Sequence, residues 1–296
     1  MIALKKIFLV VFLITAAFVI ADLKPSQQPE SYDGNYYSEN NIECLYYDPV
    51  YFVNIKQFEL YNHGAAIRGS ILPHHLLASD LIHEVFQNVK KHQYETVVLI
   101  GPDHESILMG KVFTTLKDWQ TPMGVLKTEK DITRKLLQND FLIEDDDKMT
   151  REHSVSSIVP FVKYYLNDAK IVGLAMSKQT KPEDIEKLVG DLSDMVDIEK
   201  TLFIASVDFS HYLDLERANQ MDLISMEAIQ NKDINKIMSF TNDNLDSPVS
   251  IVTILELMDK LYEADIHMLN HSNSELIVQQ RMDETTSYIT YIFTEN

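Results

Sequence analysis

The sequence predicts an α/β protein: a three-layer domain with a mostly parallel or mixed central sheet and helices on both faces. Short, β-branched apolar runs alternate with longer stretches of helical periodicity from about residue 65 onward. The apolar runs lack the strict polar alternation of a sheet with one wet face, so both faces should be covered. Strands separated by amphipathic helices are the pattern of crossover connections in a parallel sheet.

Taken in order, buried strands are expected at Ala65 to Leu72, Thr96 to Ile100, Lys111 to Leu116, Lys170 to Met176, Leu202 to Ser206, Ile266 to His271 and Ser287 to Phe293. Helices are expected at Leu76 to Lys91, Glu129 to Gln138, Ser154 to Leu166, Lys181 to Val196, Leu215 to Gln230 and Pro248 to Tyr262. In the first of these Leu77, Leu81, Val85 and Val89 recur every four residues and share one face. Pro182 and Pro248 fall where a first helical turn tolerates proline, and Ser154 is a candidate N-cap.

The 296 residues divide into three parts. Residues 1–21 carry Lys5-Lys6 and then the apolar run Ile7 to Ala21, the pattern of a signal peptide or an N-terminal membrane anchor. The chain is therefore expected to be exported, or anchored to a membrane through that segment. Residues 22–60 are rich in Ser, Asn, Gln, Tyr and Pro without sustained apolar period, and read as a polar linker or arm. Residues 61–296 form the α/β domain.

A formal net charge of −19 argues against nucleic acid as a partner, because an acidic surface repels phosphate, and it favours cations. The single cysteine, Cys44, rules out an internal disulfide and thiolate sites of the CxxC kind. Any metal must rest on His, Asp and Glu. With 8 glycines there is no Gly-rich phosphate loop, and no GxSxG elbow occurs. The acidic run Glu144-Asp145-Asp146-Asp147 lacks the alternation of a calcium loop and reads as a solvated turn.

Three predicted strands run out into polar tips bearing a histidine: Pro73-His74-His75, Gly101-Pro102-Asp103-His104-Glu105 and Ser206-Val207-Asp208-Phe209-Ser210-His211. Loops leaving the carboxyl ends of parallel strands converge on one crevice. Three imidazoles delivered there suit Zn²⁺, Fe²⁺ or Cu²⁺ with positions left for water or substrate. Single histidines at strand ends are commonly capping or hydrogen-bonded residues, so spacing alone leaves both readings open. Asp103, Asp208 and Glu105 are close enough in sequence to orient an imidazole or add a ligand. Glu152-His153-Ser154 opens a predicted helix, where Glu152 and His153 can serve as acid/base groups or simply flank a cap. His75, His83 and His92 look incidental, and His267 and His271 fit a half-exposed strand.

In these residues the chain resembles the Memo family, whose microbial members are called AmmeMemoRadiSam system protein B. The family's PHAG-, GPSH-, EHS- and SSDFSH-type motifs read here Pro73-His74, Gly101-Pro102-Asp103-His104, Glu152-His153-Ser154 and Ser206-Val207-Asp208-Phe209-Ser210-His211, in the same order. Thr121-Pro122-Met123-Gly124 is similar to a further short family segment. The resemblance implies a fold related to class III extradiol dioxygenases and a divalent metal, Fe or Cu with Zn open, on His74, His104 and His211. It places Asp208, Glu152 and His153 as catalytic neighbours and implies a small-molecule partner. This chain departs from the pattern at His75-Leu76 and Ser156. The family's cysteine before the late helix has no counterpart, the region reading Asn244-Leu245-Asp246-Ser247-Pro248 with Asp246 nearest. Three functions follow: a metal-dependent non-haem redox enzyme, a non-catalytic exported binding module with a degenerate site, and a zinc-dependent hydrolase.

Overall fold

The computed structural model describes residues 40–61, 64–105 and 109–296. In chain order the strands are β1 (Asn41–Glu43), β2 (Ile67–Leu72), β3 (Thr96–Pro102), β4 (Val112–Thr114), β5 (Asp118–Thr121), β6 (Gly124–Leu126), β7 (Leu142–Glu144), β8 (Lys170–Met176), β9 (Thr201–Ser206), β10 (Asp265–Asn273) and β11 (Ser287–Thr294). The α-helices are α1 (Ser79–Val89), α2 (Lys130–Leu136), α3 (Asp146–Arg151), α4 (His153–Ser156), α5 (Val159–Tyr165), α6 (Pro182–Met195), α7 (Leu215–Gln230), α8 (Ile234–Met238), α9 (Pro248–Tyr262) and α10 (Ser274–Val278). The α/β class expected from the sequence is the observed one.

One sheet runs in the order β10-β11-β2-β9-β3-β8-β4-β7. Its centre is parallel, since β2 pairs with β9, β9 with β3 and β3 with β8 in that sense. Antiparallel strands β11 and β10 extend one side, and β4 joins β8 antiparallel on the other. The sheet is mixed for that reason. Alternation along each central strand divides the core in two. Val98, Ile100, Phe203 and Ala205 pack on one face with Leu188, Ala228, Ile237 and Leu255 from α6, α7, α8 and α9. Val97, Leu99, Leu202 and Ile204 pack on the other with Val85 of α1 and Phe161 of α5. Fully covered faces explain why these strands read as unbroken apolar runs.

Residues 40–61, the second half of the polar arm, belong to the same compact unit as the domain. β1 pairs with β5, and the arm then lies along α1, where Gln87 and Asn88 side chains hold the backbone of Lys56, Phe58 and Tyr61. The hydrophobic segment at residues 1–21 lies outside the described residues. Among the described residues no helix is long and apolar enough to cross a membrane.

Two local expectations are corrected. The helix expected from Ser154 to Leu166 is two pieces, α4 and α5, with Pro160 in the first turn of the second. Proline has no N–H to give the carbonyl four residues back, so the ladder breaks there. That carbonyl belongs to Ser156, and the Cys44 thiol donates to it instead. The run Glu144 to Asp147 is no simple turn either. Asp145 caps α3, its carboxylate accepting the Lys148 amide at 2.9 Å, a strong N-cap arrangement that apolar periodicity does not reveal.

Candidate metal centre

β2, β9 and β3 lie side by side and point the same way, so their carboxyl ends meet at one rim. Each feeds one histidine loop. The first is pinned by the Val207 amide bonding to Leu72 O at 2.9 Å, the second by the Asp103 amide bonding to Met176 O at 2.8 Å. In the third, the Phe209 amide donates to Ser287 O and the Ser287 amide to Ser210 O, both at 2.9 Å. A fourth loop, leading into α9, joins them where the Asp246 amide donates to Asp208 O at 3.0 Å.

His74 is buried. Ser206 Oγ lies 3.3 Å from its Nδ1, while its Nε2 lies 3.2 Å from Asp246 Oδ2 and 3.7 Å from Asp208 Oδ2. The Asp208 carboxylate also accepts the His74 amide at 3.0 Å. His104 is oriented by Glu152, whose Oε1 lies 2.8 Å from Nδ1 and whose Oε2 accepts the His104 amide at 2.8 Å. The opposite nitrogen, Nε2, faces Asp246 Oδ2 at 3.7 Å. Each ring therefore has one nitrogen held from behind and the other turned toward the same acid, as in metal sites whose outer carboxylate or hydroxyl fixes the imidazole.

Glu152 is the N-cap of α4, accepting the Ser154 amide at 2.9 Å, where Ser154 itself was expected to cap. The Ser154 hydroxyl instead donates to Pro102 O at 2.7 Å. That approach requires Gly101, since a Cβ there would meet Ser154 Oγ at 2.5 Å. The sequence thus brings helix and strand close enough for Glu152 to reach His104. His153 stacks on His104 with centroids 4.1 Å apart, and Tyr46 of the arm lies 5.5 Å from His153 on its other side.

Among the described residues two groups offer ligand atoms all within 4.8 Å of one another: His74, His104 and His153, and His74, Asp208 and Asp246. Neither group contains His211. Its amide donates to Asn242 O at 2.9 Å, its Nδ1 is buried without a hydrogen-bond partner, and its positive form would act on Asp246. Ser210 beside it is anchored by Asp222, which accepts the serine hydroxyl at 2.6 Å and meets His271 Nε2 at 2.8 Å.

Asp103 and Glu105, expected to orient imidazoles, turn elsewhere. Buried Lys148 pairs with Asp103 at 2.7 Å, and Glu105 faces Lys148 and Arg151. A lysine buried on α3 must find a carboxylate, and these are the ones within reach. His75 meets the Tyr288 hydroxyl at 3.1 Å, and His83 bridges Tyr165 and the Tyr51 carbonyl, so both have structural partners.

The residue not expected among the ligands is Asp246. It is 3% exposed, and neither carboxylate oxygen has a hydrogen-bond partner, the 3.2 Å approach to His74 lacking the alignment of a bond. Burial pushes its carboxyl up, but the facing His74 and His104 hold it well below the usual range. Burial likewise opposes charge on His104, yet Asp246 and Glu152 raise it to about 10, and Glu152 falls to about 2 beside it. Partial burial and the neighbouring positive His74 and His104 push His153 down to about 4. The crevice is thus a negative cradle that holds positive charge. Its donors, two oriented imidazoles and a bare buried carboxylate, fit a divalent ion.

The sequence profile of the Memo-like protein family matches residues 30–292. The chain belongs to the Memo family. A MEMO1 family protein of Methanobrevibacter smithii is 31% identical over 147 residues, 49% of this chain and 52% of that protein. One from Thermoplasma acidophilum is 25% identical over 71% of this chain and 80% of its own length. The matched stretch therefore spans about half of the first relative and four fifths of the second. An uncharacterized protein of Escherichia coli K12 has the same fold, with a TM-score of 0.50 at 12% identity, covering 76% of this chain and 99% of its own.

Proposed function

We propose that this Memo-like protein is a non-haem metal protein that binds a divalent ion between His74, His104 and Asp246, with His211 and Asp208 beside it as further donors. The observation that carries this reading is the Asp246 carboxylate, buried with neither oxygen in an aligned hydrogen bond and with Oδ2 facing Nε2 of two oriented histidines. A buried acid without hydrogen bonds is costly unless a cation completes it. Two imidazoles and a carboxylate with open positions are the donor set of non-haem Fe(II) sites. The absence of a thiolate disfavours Cu(I), since the half-buried Cys44 is engaged on the Ser156 carbonyl and desolvation pushes its thiol up. Bound iron would supply redox chemistry and open coordination positions for a small molecule.

The protein's own groups have defined parts in that reading. Glu152 fixes the tautomer and direction of His104. Ser206 does the same for His74. With one ion bound at His74, His104 and Asp246, His153, about a third exposed and pushed down to about 4, is the group available to take or give a proton at the crevice mouth. Tyr46 supplies an aromatic wall next to it.

Elemental analysis of purified protein and of a His104→Ala variant tests the reading. About one equivalent or more of iron in the first, and a clear loss of metal in the second, is expected. Equal, negligible metal in both would overturn it. Export or anchoring through residues 1–21 is a separate proposal, checked by fractionating cells and reading the N-terminus of the mature chain.

A further inference from the structure

The crevice has more donors than one ion uses. The groups His74–His104–His153 and His74–Asp208–Asp246 share only His74. An imidazole nitrogen has a single lone pair, and Nδ1 of His74 already lies against Ser206. His74 therefore serves one ion through Nε2. A carboxylate is different: its two oxygens present about four lone-pair sites and can serve two ions at once. Asp246 has both oxygens buried and unpartnered. Its Oδ2 is placed between the two sets, 3.2 Å from His74 Nε2 and 3.7 Å from His104 Nε2.

Resting on the metal reading above, we propose that the crevice takes two divalent cations bridged by the Asp246 carboxylate, one on His74 and Asp208 and the other on His104 and His153. The charge of the crevice fits this division. Asp208, Asp246 and Glu152 are each 3% exposed or less. One dication balances two of the three buried carboxylates, which leaves a negative charge toward a second ion. The ligands are nitrogen and oxygen throughout, so the ions are of borderline or harder type, Fe²⁺, Mn²⁺ or Zn²⁺. His211, whose buried Nδ1 has no hydrogen-bond partner, is the reserve donor on the same rim. Paired ions on a bridging carboxylate can clamp two oxygens of one substrate, which a single ion with the same ligands cannot do.

Stoichiometry tests the proposal. The chain is stripped with a chelator, dialysed against Zn²⁺ and analysed for metal per chain. Two ions are expected in the unaltered protein and one in each of Asp208→Asn and His153→Ala. The first variant keeps the side-chain shape, and the second truncates a ring already about a third exposed. Titration with Mn²⁺ followed by electron paramagnetic resonance gives an independent readout. The second equivalent should attenuate the six-line signal of the first, because ions sharing a carboxylate couple magnetically. Saturation at one ion, additive manganese signals, or two ions unaffected by either variant would each overturn the two-ion centre. No bound metal at all would overturn the one-ion reading as well, so the two failures are distinguishable.

Discussion

The two ends of the parallel strands treat buried charge in opposite ways. At the amino ends, Arg68 is 5% exposed and fully engaged, its guanidinium reaching Glu199, Glu295 and the Glu199 carbonyl. Lys200 pairs with Glu95 at 2.7 Å and Lys170 with Glu129 at 2.8 Å. At the carboxyl ends, Asp246 and His211 keep buried polar atoms with no hydrogen-bond partner. One end is closed by the protein's own groups, and in the proposed reading the other is left for a cation to close. Net charge does not make the difference, since both ends carry acids. It arises because imidazoles, unlike Arg or Lys, are donors to a metal as well as partners to an acid.

The largest separation between the two ends should come from Glu152→Gln. The amide keeps the size but weakens the grip on His104 Nδ1, and loss of an outer partner typically costs about 10–100-fold in metal affinity. Competition with a fluorescent chelator would measure this. An unchanged affinity would remove the argument that Glu152 orients a ligand.

Arg68→Met should leave metal affinity alone and lower stability. Its partners Glu199 and Glu295 are 64% and 36% exposed, so neither carboxylate is stranded by the change. The expected loss is therefore near the surface value of about 1 kcal/mol, not the several kcal/mol of a fully buried pair. Chemical denaturation checks it. A change in metal affinity of the same size would mean the two ends are coupled.

Asp118→Asn should have the smallest effect and one with a pH signature. Burial pushes the Asp118 carboxyl up, but the Thr128 amide, Lys127 and Lys130 outweigh it and lower it below the ordinary aspartate value. A lowered folded value stabilises above the unfolded value near about pH 4 and is lost as pH falls toward the folded value. The melting-temperature gap between the two proteins should therefore be under about 1 kcal/mol in free-energy terms at neutral pH and close in acid. A gap that widens in acid would contradict the assignment.

The sequence by itself determined the layering of the domain. Unbroken apolar runs such as Val97 to Ile100 and Leu202 to Ala205 have room for polar residues on neither face, so helices had to cover both. It also determined that His74, His104 and His211 sit at strand ends, because each follows such a run within a few residues. Short strands β1, β5, β6 and β7 were not legible, since three or four residues carry too little period and form only when a partner strand is present.

Only the tertiary structure decided which groups face one another. Asp246 lies far along the chain from His74 and His104, in a segment whose visible signal is only a capped, proline-started helix. Its meeting with both rings follows from the Asp246 amide bonding to Asp208 O, a contact between two loops that no local pattern encodes. The same is true of the pairing of Lys148 with Asp103, which took an expected imidazole partner out of the crevice. Periodicity reports burial one residue at a time, whereas a site is a relation among side chains. Strand order and loop-to-loop hydrogen bonds set that relation, and here they placed an acid at the focus of the histidines.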